Sequence, residues 1–135
     1  MSEVKRGKYG YARTVSLSYE KAVERVTATL KDQGFGILTE IDVKATLKKK
    51  LDKDFTKYVI LGACNPNLAY QALSDEIDIG LLLPCNVTVY EDPKDGKTIV
   101  SALDPETMMT LTGRPEIEPI ARQAREKLLA ALEAI

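Results

Sequence analysis

Leu81-Leu82-Leu83-Pro84-Cys85-Asn86-Val87-Thr88-Val89-Tyr90, then Asp92-Pro93-Lys94-Asp95-Gly96, then Thr98-Ile99-Val100-Ser101-Ala102-Leu103, is the stretch that decides the fold class. Two β-prone runs flank a turn in which proline presets one dihedral, aspartates bond their own backbone and glycine accepts a positive φ. That pattern predicts a hairpin. A hairpin forces at least one antiparallel pair, so helices elsewhere in the chain make the class α+β. Pro84 has no amide to donate to a ladder, which places it at a bulge, an edge or a strand start.

Upstream, Tyr58 to Cys64 is apolar and β-prone, as a buried central strand would be. Asn65-Pro66 follows it directly, a helix cap and a first helical proline, and the helix runs through Leu68, Ala69, Ala72 and Leu73 to Glu76. Toward the N-terminus the spacing predicts a strand over Tyr9–Val15, then a helix over Tyr19–Gln33. Ser18 would cap that helix and Gly34 would stop it. A strand over Phe35–Val43 and a short lysine-rich helix over Ala45–Leu51 follow. After the hairpin, Asp104-Pro105 opens a short helix through Met109, and Glu116–Ile135 carries the apolar stripe of a terminal helix. The prediction is one domain over residues 1–135: a mixed sheet with a hairpin in its C-terminal half and helices mainly on one face.

The chain has 135 residues, 19 Lys+Arg against 20 Asp+Glu, two cysteines and no histidine. That length suits one core without disulfide staples. A net charge of −1 gives no field for capturing polyanions, so no nucleic-acid partner is expected. Without histidine, a Ser-His-Asp triad, a Cys-His pair and an H-E-x-x-H zinc site are impossible within the chain. The polar N-terminus Met1–Gly7 and the lack of a long apolar run predict a cytoplasmic protein with no membrane partner and with free thiols.

Tyr58-Val59-Ile60-Leu61-Gly62-Ala63-Cys64-Asn65-Pro66 and Ile79-Gly80-Leu81-Leu82-Leu83-Pro84-Cys85-Asn86-Val87 together resemble the hallmark stretch of the domain-of-unknown-function 302 family. Gly34-Phe35-Gly36, Glu40-Ile41-Asp42-Val43, Val100-Ser101-Ala102 and Asp104-Pro105 resemble it too, so the likeness runs from about Ser18 to Met109. The resemblance implies a small bacterial or archaeal α+β domain that forms a homodimer. It implies no particular activity.

Chemistry must therefore be read from the residues. Cys64 ends a strand just before a helix cap, where partial positive charge and unpaired amides favour a thiolate. Cys85 follows Pro84. Neighbouring strands would bring the two sulfurs together as a small-ligand or soft-metal site, with Asn65 and Asn86 beside them and Met108 as a possible thioether ligand. Thiolate and thioether select Cu(I). Two cysteines fill only half of a zinc tetrahedron, which a dimer could complete as Cys₄. A second reading makes Cys64 the reactive thiol of a redox protein or enzyme. A third treats the domain as a protein-interaction module whose cysteines pack as small hydrophobes, the default for thiols without C-x-x-C spacing.

Asn65 reads first as a cap, and Asn86 as a partner for backbone freed at Pro84. Glu40 and Asp42 share a strand face, and with Asp104 they form a candidate hard-cation or acid–base set. The simpler reading is that Glu40 is solvated and Asp42 starts the lysine-rich helix. The lysines at 44, 48, 49, 50, 53 and 57 read as a solvated face rather than a phosphate patch.

Overall fold

In the computed structural model, which describes residues 3–135, the hairpin lies near the middle of a six-stranded sheet. In chain order the strands are β1 (Lys5–Arg6), β2 (Gly10–Val15), β3 (Gly36–Asp42), β4 (Tyr58–Cys64), β5 (Cys85–Glu91) and β6 (Thr98–Leu103). The helices are α1 (Tyr19–Asp32), α2 (Val43–Leu51), α3 (Pro66–Asp75), α4 (Glu106–Thr112) and α5 (Glu118–Glu133), with 3₁₀ turns at Ile77–Leu82 and Pro115–Ile117. Across the sheet the order is β1-β2-β6-β5-β4-β3.

The α+β class and the hairpin hold, but every pair is antiparallel where a mixed sheet was expected. The connections explain the difference. β2 and β3 run in the same direction, as a helical crossover through α1 demands, but β6, β5 and β4 stand between them and no parallel pair forms. The segment joining β4 to β5 is no crossover at all. α3 and the 3₁₀ turn pack on each other, and the chain re-enters the sheet at the end it left, with Ala63 opposite Cys85.

One face of the sheet is buried. Val15, Val59, Leu61, Ala63, Val87, Val89, Val100 and Ala102 point to α1 and α5, whose apolar stripes supply Ala22, Val26, Leu30, Leu128 and Leu132. Ser18 caps α1 by accepting the Lys21 amide, and Gly34 ends it at φ +85°, as its sequence signals predict. Arg13 donates to the carbonyls of Leu132 and Glu133 at 2.8 Å each, satisfying the last turn of α5 from the sheet. A smaller apolar cluster of Leu68, Ala72, Ile79, Ile117, Ile120 and Ala124 ties α3 and its 3₁₀ turn to the start of α5.

The strand predicted from Leu81 begins instead at Cys85. Glu76 caps the 3₁₀ turn through the Asp78 amide, and Ile79 anchors it in the smaller cluster, so Leu81 is left 90% exposed. Pro84, joined to Leu83 by a cis peptide bond, sits at the strand start. Its ring lies over Gly62 together with Thr39, and a Cβ at Gly62 would meet Thr39 Oγ1 at 2.1 Å and Pro84 Cγ at 2.8 Å.

Candidate functional site

Two concave features stand out, on different parts of the sheet. The first is a seam between the two apolar clusters. Cys64, the last residue of β4, and Cys85, the first of β5, both line a cavity of about 30 Å³ there. Phe35, Ala63 and Pro84 wall it from the sheet side, and Leu68, Ala72 and Ile120 from the helices. Both cysteines are free thiols, Cys85 buried and Cys64 half-buried. Burial pushes the Cys85 thiol up from its ordinary value near 9 to about 11, and the neighbouring Cys64 adds to the rise. Cys85 is therefore a neutral thiol at physiological pH, unsuited to be the attacking thiolate.

Asn65 serves the frame of this seam. Its Oδ1 accepts the Leu68 amide at 3.3 Å and its Nδ2 donates to the Gln33 carbonyl at 3.4 Å, pinning the start of α3 to the end of α1. Asn86 stands apart, because strand alternation turns it away from Cys85, and it is exposed on the opposite face of the sheet. The structure thus gathers Cys64, Asn65 and Cys85 around one cavity and leaves Asn86 outside its lining. The Met108 side chain lies outside the described residues. Among those described, no group of three Cys, Asp or Glu side chains is arranged to hold a metal ion.

The acidic set also comes apart. Asp42 caps α2 by accepting the Ala45 amide, as the simpler reading has it. β3 and β6 are separated by two strands, so Asp104, just after β6, is remote from Glu40 and Asp42. Asp104 is buried, accepts the Glu106 amide at 3.0 Å and pairs with Arg6 at 3.1 Å. Lys48 pairs with Asp52 at 2.9 Å, and α2 buries none of its residues, which makes its lysines a solvated face.

The second feature is the uncovered face of the sheet, where four of the tyrosines that the sequence offers as pocket or dimer-face residues, Tyr9, Tyr11, Tyr58 and Tyr90, come together. A cleft of about 350 Å³ lies there, floored by Ala12, Thr88 and Ser101 on three adjacent strands. Tyr58 and Tyr90 rise beside the floor as a stacked pair, 5.1 Å apart and 11° from parallel. The Tyr90 phenol is held above its ordinary value, first by burial and then by Tyr58 and Asp92, with Ser101 within hydrogen-bonding reach. The available sequence signal was the outward set of β5 and β6, where Thr88 and Ser101 alternate with buried valines.

The sequence profile described as "Domain of unknown function DUF302" matches residues 11–135. The chain belongs to the DUF302 family. A solved structure described as an uncharacterized conserved DUF302 protein from Bacillus stearothermophilus superposes with a TM-score of 0.87 at 31% identity. That likeness covers 95% of this chain and 98% of the Bacillus chain, so the whole DUF302 architecture is shared. No curated protein matches the sequence. No helix among the described residues of this DUF302 protein is long and apolar enough to cross a membrane.

Proposed function

We propose that this DUF302 protein is a non-enzymatic binding module whose site is the thiol pair of the seam, and that its occupant is a soft metal ion, Cu(I) before zinc. The observation that carries the reading is the shared cavity: Cys64 and Cys85, from adjacent strands, border one apolar space of about 30 Å³. A space of that size suits a single ion or water rather than an organic ligand. Two thiolates satisfy Cu(I), whereas zinc would need two further ligands, which a second chain could supply as Cys₄. The raised Cys85 thiol suits it to ligate rather than to attack, because an ion can displace a proton that a free nucleophile would have to lose unaided.

The test is an anaerobic competition for Cu(I) against the chromophoric chelator bicinchoninate. One ion per chain is expected, with affinity rising at least about tenfold per pH unit as the Cys85 proton is displaced. Cys64→Ser and Cys85→Ala should each weaken it by about a hundredfold or more. Equal binding by the wild type and the double variant would reject the proposal.

The same reading includes a homodimer in a reducing, cytoplasmic setting, supported by the two unpaired thiols and by the exposed Ile77 and Leu81 on the 3₁₀ turn. Leu82 and Leu83 already pack into the smaller cluster against the terminal helix, which leaves Leu81 for a partner. Sedimentation equilibrium should show a dimer that Leu81→Asp weakens; a monomer at high concentration would remove this part.

A further inference from the structure

The uncovered face of the sheet is shaped by side-chain volume. One row across it reads Ile60, Thr88, Ser101 and Ala12 on β4, β5, β6 and β2. The next row is Tyr58, Tyr90, Ile99 and Thr14. Small residues thus sit at the centre of the face with larger ones beside them, and the difference in height makes the depression.

The chain before β2 forms its rim. Gly7 donates its amide to the Gly10 carbonyl at 2.6 Å, and Asp104 donates to the Tyr9 carbonyl at 3.1 Å, so Lys8 and Tyr9 are held beside the floor. Gly10 permits this approach, because a Cβ there would lie 1.9 Å from the Ala102 carbonyl oxygen.

We propose that this cleft is a second binding site, separate from the thiol seam, for a small planar carboxylic acid. Three observations select that class. The volume of about 350 Å³ falls in the range of small-molecule sites. Tyr90 is stacked on Tyr58 and reaches Ser101 on the floor, so an aromatic pair borders the cleft as a flat surface for a planar group. Finally, the polar side chains of the lining are the hydroxyls of Thr88, Ser101 and four tyrosines, the amide of Asn86 and one cation, Lys8, with no carboxylate. A ligand that brings an anionic, hydrogen-bond-accepting end complements that set.

The test is a titration followed in amide proton–nitrogen correlation spectra, with para-hydroxybenzoate as the probe and neutral para-hydroxybenzamide as the control. Saturable shifts are expected at the amides of Asn86, Thr88 and Ser101, with the acid bound about fivefold more tightly than the amide, the value of one exposed ion pair. Lys8→Glu should abolish that preference. Ser101→Leu fills the floor and should abolish binding of both; Thr88→Leu repeats the test should Ser101→Leu fail to fold. Cys64→Ser should leave the titration unchanged, so that the thiol site and this one fail separately. Shifts that do not saturate, or that persist in Ser101→Leu, overturn the proposal. So does protection of the same amides in a dimer without probe, which would assign the face to a second copy.

Discussion

The two faces of strand β4 differ by one residue and by almost everything else. Val59, Leu61 and Ala63 face α1 and α5 and are buried to within 2% of complete exclusion. Tyr58, Ile60 and Cys64 alternate with them and remain half-buried. The closed face is where the fold gets its stability. The half-open positions are where thiol, phenol and hydroxyl groups can meet something else. The seam lies where the two meet, at the end of β4, which is why one cysteine there is buried and its neighbour is not.

The largest expected effect breaks this contrast directly. Leu61→Ala removes a side chain 1% exposed in the main cluster and should cost about 3 kcal/mol or more, as large-to-small changes in packed cores do. Ile60→Ala, one residue away on the half-open face, should cost about 1 kcal/mol or less. Urea unfolding of the two variants measures both. Equal losses would mean that the outer face is covered in solution.

The next effect is set by pH at the seam. Cys85 in the folded protein holds its proton to about pH 11, whereas a thiol near its ordinary value of 9 gives it up in the unfolded chain. A folded value raised above the unfolded one leaves stability intact below pH 9 and lost as pH climbs toward 11, by roughly 3 kcal/mol at most. Cys85→Ala loses roughly 1 kcal/mol of packing at pH 8 but escapes the alkaline loss. Wild-type and variant stabilities should therefore cross near about pH 10. Parallel curves would show that Cys85 is not desolvated.

Much of this was legible in the chain. Ser18, Asp42, Asn65 and Gly34 act as the caps and stop that their residue types announce, because capping is a local matter of one side chain and a few amides. Three things were not local. The sheet is antiparallel throughout because the chain re-enters at the end of β4 that it left and β2 and β3 are kept apart, a placement that periodicity does not contain. The separation of Asn86 from Cys85 follows from strand alternation, once the strand is known to start at Cys85 and not Leu81. The cleft depends on which small residues become lateral neighbours across β2, β6 and β5, and that register appears only in the folded sheet.

The smallest predicted effect uses the two asparagines, each placed just after a cysteine, to sharpen the same contrast. Asn65 holds the first turn of α3 and the end of α1, so Asn65→Ala should cost about 1 kcal/mol, the usual value of a lost cap. Because α3 roofs the seam, that loss falls on the local opening that exposes Cys85, and alkylation of Cys85 should quicken by about fivefold. Asn86 is exposed on the other face, and Asn86→Ala should leave both stability and Cys85 labelling within error. Mass-resolved labelling with iodoacetamide under native conditions separates the outcomes. If Asn86→Ala speeds Cys85 labelling as much as Asn65→Ala, the two faces open together and the seam is not an independent site.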